Sequence, residues 1–213
     1  GDPLSLTVHY AAPITDGAFE VHARPMRTNR STQHWLVELR QGDAVAAFAT
    51  VLTAVRRDTW SATDAVFPSV PSAESLPRHP GVFRTEWPKA YDMRFTDGEQ
   101  VLDNVVRDDA VTRVWLRDEP PRPLDFLALS AICDAFIPRV FVRRSRAVPA
   151  GTVTLTVYFH ADAALLAAQG TAHVLGCAKG LRYSQGFHDQ TAEIWSAQGD
   201  LLAVGHQVVY FKE

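Results

Sequence analysis

A chain of 213 residues, 46% hydrophobic and 10% aromatic, has room for one large domain or two small ones around a substantial core. Its 21 Lys and Arg against 24 Asp and Glu leave a formal charge of −3, which excludes the strong positive field of a nucleic-acid binder. No apolar run approaches the roughly 20 residues of a membrane-spanning helix, no signal-peptide pattern opens the sequence, and Cys133 and Cys177 lack metal-ligand spacing, so a cytoplasmic protein with two buried free thiols is expected.

In chain order, the first element is Leu4-Ser-Leu-Thr-Val-His-Tyr10, whose apolar and polar alternation predicts a half-buried strand. Strands follow at Phe19 to Ala23 and His34 to Leu39, and Gly42-Asp43 turns the chain into a fourth, Ala44 to Val55. A four-stranded antiparallel meander is expected. From Arg57 to Pro88 scattered prolines deny both helix and central-strand hydrogen bonding, which predicts a crossing linker. Ala90 to Thr96 and Val111 to Arg117 alternate again and predict two more strands. Between Pro121 and Pro138 lie about fourteen residues of mostly strong helix formers. Because they are apolar on nearly every face, the helix should be buried all round within a curved sheet.

Val153-Thr-Leu-Thr-Val-Tyr-Phe159 then repeats the first strand 149 positions later, and runs at Thr171 to Leu175, Gln190 to Trp195 and, after Gly199-Asp200, Leu201 to Tyr210 repeat its sequel. Two copies are too few and too long for a solenoid and predict a duplicated unit packed as a pseudo-dimer: residues 1–57, a linker at 58–89, and residues 90–213. The first copy has no counterpart of the helix, since residue 1 coincides with the strand that follows the helix in the second. By analogy with residues 90–150, roughly 40 to 60 residues are expected upstream, or a neighbouring chain in their place, because an apolar sheet face of several hundred Å² calls for a cover.

Chemistry-bearing motifs are few. The eight histidines show no metal-ligand spacing, Ser130 lacks the Gly-x-Ser-x-Gly turn, and there is no Gly-rich phosphate loop, so neither metal nor cofactor is expected. Asp134, within "LSAICDAFIP", is either a shielded carboxylate or a cap of the helix end. Thr152 reads as an ordinary strand residue or a hydroxyl at a strand start. Alternation places Gln207 on one strand face with Ala203 and Gly205, where it is an inward amide or a plain strand residue. Pairing the copies sets Thr152 against Pro3 and Gln207 against Thr50, so the polar set belongs to the second copy. Arg143-Arg144-Ser-Arg146 is either a solvated basic loop or a set of donors for phosphates.

The strings "SAICDAFIP", "GTVTLTVYFHAD" and "GDLLAVGHQVVYF", with the tandem duplication, resemble the double-hotdog acyl-CoA thioesterases related to bacterial thioesterase II. The resemblance spans essentially the whole chain. It implies an α+β double hotdog whose antiparallel sheets each wrap a central helix, the first helix lying outside this sequence. It implies hydrolysis of acyl-CoA to free acid and coenzyme A in fatty acid metabolism, with Asp134 as base and Thr152 and Gln207 orienting the attacking water. The basic triplet would then meet the phosphates of coenzyme A, and backbone N–H groups at either a helix end or a strand start would receive the oxyanion. Thr154-Leu155 departs from the Asp-His that many members carry there. Oligomers are expected from exposed sheet edges. Two rival functions share the scaffold: a non-catalytic acyl-binding or assembly module, and a dehydratase or hydratase, for which the string Asp-x-Asn-Pro-x-His is missing.

Overall fold

The computed structural model describes residues 1–80, 86–99 and 101–213. In the first copy the strands are β1 (Asp2–Tyr10), β2 (Glu20–Thr28), β3 (Thr32–Gln41) and β4 (Ala44–Ala54). The second copy contains β5 (Tyr91–Asp97), β6 (Thr112–Asp118), helices α1 (Phe126–Asp134) and α2 (Arg139–Arg144), β7 (Ala150–Phe159), α3 (Ala163–Gln169), β8 (Val174–Lys179), β9 (Tyr183–Ser184), β10 (Phe187–Trp195) and β11 (Leu201–Phe211). All strands form one antiparallel sheet, ordered β2-β3-β4-β1-β7-β11-β10-β8-β6-β5, with β9 pairing onto β10. The fold is the α+β double hotdog that the sequence led us to expect, with its described helices in the second copy.

The copies meet where β1 pairs with β7. Thr7 lies opposite Thr156, Leu6 opposite Val157 and Val8 opposite Leu155. Each residue therefore faces the counterpart of a neighbour equally far on the other side of Thr7, which is the register of a two-fold axis. The Thr7 and Thr156 hydroxyls sit 3.1 Å apart on that axis.

Three expectations need correction. The first copy is not a simple meander, because β1 pairs with β4 and leaves β2 at the sheet edge. The helix is shorter than the proline-bracketed segment. Asp125 caps its start by accepting from the Ala128 N–H at 2.7 Å, and the helix ends at Asp134 with Ala135 as its C-cap, before reaching Ile137, the residue that Pro138 restricts. Nor is α1 buried all round: Ala128, Leu129, Ile132 and Cys133 enter the core, while Leu127 (77% exposed), Ala131 and Asp134 form an open stripe at i, i+4 and i+7.

The core lies between α1 and the second-copy sheet, where Leu116, Leu129, Val157, Ile194 and Leu202 are fully buried. On the opposite sheet face, Trp115, Leu175 and Trp195 stand side by side in register and are covered by Phe67, Val70 and Leu76 from the proline-rich segment. The Trp115 Nε1–H donates to the Pro71 carbonyl at 2.8 Å. The described part of that segment is thus packed rather than free; residues 81–85 of the expected linker lie outside the described residues.

In the first copy, cross-strand rows Tyr10–Ala47–Leu39–Val21 and Val8–Ala49–Val37–Ala23 give one wholly apolar face, while Thr7–Thr50–Leu36–Arg24 lies on the other. Among the described residues no helix covers the apolar face. Leu6 and Tyr10 nonetheless reach across the junction and pack against the second-copy core.

Candidate active site

Asp134 ends α1, Thr152 lies near the start of β7, and Gln207 sits in the middle of β11. Alternation along β11 turns Ala203, Gly205, Gln207 and Val209 inward toward α1, and all four are buried. Gly205 lets β11 approach the helix, since a Cβ there would already stand 3.5 Å from the Cys133 Cβ. The side chain beyond it, Gln207, meets the last residue of the helix.

Asp134, Thr152 and Gln207 line one cavity of about 420 Å³, together with Trp87, Tyr91, Phe136, Gln190 and Val209. The Gln207 Nε2 donates to Asp134 Oδ1 at 2.6 Å and to the Cys133 carbonyl at 3.4 Å. Among the described residues no hydrogen bond reaches Asp134 Oδ2, so that oxygen is left for a ligand or water. Asp134 is therefore not a helix cap. Thr152 shares the cavity wall without bonding to the pair.

Asp134 retains access to the cavity, yet the protein around it pushes its carboxyl up to about 6 by desolvation, against the opposing hydrogen bond from Gln207. Tyr10 feels the same charge: burial and then Asp134 push its phenol up to about 12. Tyr91 is raised to about 12 by burial, Asp118 and Asp134. The charge of the second copy's carboxylate is thus felt by a phenol of the first copy.

Gln190, Tyr91, Trp87 and Tyr10 were not singled out from sequence. Gln190 carried a signal: it shares the inward face of its strand with Ala192 and Ile194, a polar residue in an apolar row. The aromatic residues carried none, because Trp87 and Tyr10 arrive from the linker and the other copy.

The internal comparison of copies shifts by one residue. Leu6 pairs with Val51 as its counterpart Leu155 pairs with Gln207, so Gln207 corresponds to Val51 and not to Thr50. The two Gly-Asp turns are not equivalent, since two residues join β3 to β4 whereas five join β10 to β11. A one-residue slip exchanges the faces of a strand, and here it sets an inward valine against the inward glutamine.

Of the basic triplet, Arg144 is engaged by Glu213 at 2.6 Å, and the helix that carries it begins beside Pro138 on the cavity wall. A separate hollow of about 540 Å³ is lined by Asp97, Arg107 and Arg113, whose guanidinium groups pair with Asp103 and Asp97 at 2.6 and 2.7 Å. The buried His173–Asp92 pair, 3.1 Å apart, shares its sheet face with Trp115 and not with α1. Among the described residues no group of His, Cys, Asp or Glu is arranged to hold a metal ion, and no helix is long and apolar enough to cross a membrane.

Residues 64–211 match the family model described as the acyl-CoA thioesterase C-terminal domain, and residues 1–55 match that of the acyl-CoA thioesterase N-terminal domain. The chain belongs to the acyl-CoA thioesterase family. Among solved structures, it is similar to a conserved hot dog fold protein of unknown function from Alicyclobacillus acidocaldarius, with 46% identity and a TM-score of 0.95 over 100% of this chain and 80% of that one. It also superposes on a provisionally designated thioesterase II from Thermobifida fusca (20% identity, TM-score 0.82, 100% of this chain and 79% of that one). A tesB protein from Mycobacterium avium subs paratuberculosis gives 18% identity and a TM-score of 0.77 over the same shares. These last two likenesses speak for the hotdog fold alone. No curated protein matches the sequence.

Proposed function

We propose that this chain hydrolyses acyl-CoA thioesters to a free acid and coenzyme A, using water activated by Asp134 and held by Thr152 and Gln207. The observation that carries this reading is the meeting of all three residues on one cavity wall, with Gln207 fixing one oxygen of Asp134 and the other left open. Membership of the acyl-CoA thioesterase family supports thioester hydrolysis as the reaction class.

In this mechanism Asp134 Oδ2 accepts a proton from water as its oxygen bonds to the thioester carbonyl carbon. The carbonyl π electrons move onto oxygen to give a tetrahedral oxyanion. Collapse restores the carbonyl, breaks the carbon–sulfur bond and expels the thiolate of coenzyme A, which takes up the proton. A base with a pKa near 6 is ionised at neutral pH while remaining basic enough to share a proton in the transition state. The Thr152 hydroxyl can both donate and accept, which suits it to fix the water, and the apolar wall of Phe136 and Val209 suits an acyl chain. A hydratase would need a His–carboxylate pair, and among the described residues none lines this cavity.

The test is release of free thiol from a panel of short to long acyl-CoA substrates, comparing the protein with Asp134→Asn at equal folded concentration. Hydrolysis of any member of the panel, reduced about 100-fold or more by the substitution, supports the reading. A fully active Asp134→Asn variant removes the assigned base, and inactivity of the parent toward the whole panel favours an acyl-binding module.

A further inference from the structure

In the cavity wall and directly behind it stand two buried polar groups, Gln190 and Arg139, for which the proposed hydrolysis has no direct use. Gln190 is 1% exposed and Arg139, the first residue of α2, is 0% exposed. The Arg139 Nε–H donates to Gln190 Oε1 at 3.0 Å, Gln190 Nε2 donates to Gln207 Oε1 at 3.2 Å, and Gln207 Nε2 donates to Asp134 Oδ1 at 2.6 Å. The remaining partners of the guanidinium are all acceptors: the Ala110 carbonyl at 3.1 Å, the Thr112 hydroxyl at 2.7 Å and the Ile137 carbonyl at 3.0 Å. Among the described residues no carboxylate pairs with Arg139. Its location therefore has to be explained by what the guanidinium orients.

A side-chain amide can turn end for end, exchanging its oxygen for its nitrogen, and packing alone barely distinguishes the two. A guanidinium has no such freedom, because it can only donate. Set at one end of a chain of amides, it imposes a direction on every link. The Gln190 oxygen must face Arg139, so its nitrogen faces Gln207; the Gln207 oxygen must then face Gln190, so its nitrogen faces Asp134. Reversed, Gln207 would present a carbonyl oxygen to Asp134 Oδ1, which only a protonated carboxyl could accommodate, and a protonated carboxyl cannot take a proton from water.

We infer that Arg139 and Gln190 are positioning residues whose one-way hydrogen bonds fix the orientation of the Gln207 amide, so that Asp134 is presented to its substrate as an acceptor of protons. Their role in catalysis rests on the reading of Asp134 as the base. Burial lowers the Arg139 pKa to about 10, which leaves the guanidinium charged and donating at neutral pH.

The decisive variant is Gln190→Glu. A carboxylate at this position still accepts from Arg139, and it also accepts from Gln207, which turns the second amide around. Carbon-13 NMR titration of the Asp134 carboxyl reads the result without any substrate. Its midpoint is expected to rise by about one pH unit, a tenfold change in proton affinity. The acid limb of kcat/KM should rise with it, with KM changed less than about twofold. Gln190→Met adds no charge and should move the midpoint in the same direction by a smaller amount, and it serves as the test if the glutamate variant does not fold. An Asp134 titration unchanged in the folded variants overturns the inference. A shifted titration in a protein without thioesterase activity upholds the orienting chain and refutes the thioesterase reading instead.

Discussion

Gln207 Nε2 lies 2.6 Å from Asp134 Oδ1, joining the inward face of β11 to the last residue of α1 across 73 residues of sequence. A charged acceptor bonded to a buried amide is worth more than a neutral pair, and it leaves the second carboxylate oxygen free. Replacing Asp134 by Asn should therefore lower kcat by roughly 10² to 10⁴, the range for loss of a general base, as read by thiol release.

The same substitution should not cost stability at high pH. The folded pKa of about 6 lies above the ordinary 3.8, so the carboxyl favours the folded state when protonated and that contribution is lost as pH rises from about 4 through 6. Thermal melts should show the parent losing stability relative to Asp134→Asn across this window, and above it the variant should melt no lower than the parent. A variant that melts several degrees lower at pH 8 would contradict the raised pKa.

Activity should follow the same ionisation in the opposite sense. Below pH 6 kcat/KM should fall tenfold per pH unit as Asp134 takes up a proton, and above it the rate should level off until a second group titrates. Tyr10 and Tyr91, both raised to about 12, stay protonated across the accessible range and should add no limb below pH 9. A pH profile on one substrate checks this.

Thr152→Val keeps the side-chain shape and removes the hydroxyl from the cavity wall. If, as proposed, this hydroxyl orients the reacting water, kcat should fall about ten- to a hundredfold with KM within about twofold. An unchanged kcat would return Thr152 to the role of an ordinary strand residue.

Gly176, in β8, faces Phe136: a Cβ at this position would stand 2.6 Å from the end of that ring. Phe136 is 6% exposed, packed in the core and part of the cavity wall, so it cannot simply swing away. Gly176→Ala should destabilise the fold by about 1–3 kcal/mol, measured by urea unfolding, and should alter the preference among acyl chain lengths. A neutral variant would mean that the ring has room to move.

Much of this architecture was legible because it is periodic. The two copies of the first strand and the alternation that turns Gln207 inward both depend on local sequence. What escaped depended on partners far along the chain. The pairing of β1 with β4 joins strands far apart in the chain, which no strand pattern reveals, and the unequal lengths of the two Gly-Asp connections hid the match between Gln207 and Val51. The open stripe on α1 escaped because Leu127 and Ala131 look like core residues; only the packing shows which side of the helix has a neighbour. Arg139 was not singled out from sequence, although its neighbours Ile137, Val140 and Phe141 place it in an apolar run.

The Thr7–Thr156 contact on the two-fold axis is a meeting of like with like, and chemistry restricts what can stand there. Two carboxylates or two ammonium groups would repel and offer only acceptors or only donors, whereas a hydroxyl can give to its twin with one lone pair free to receive. Because both threonines belong to one chain, this union cannot be diluted apart: it forms at the same strength at any protein concentration, as the contact between separate subunits would not. Neither half has to remain a good partner for copies of itself, and so one half could hold Val51 where the other holds Gln207.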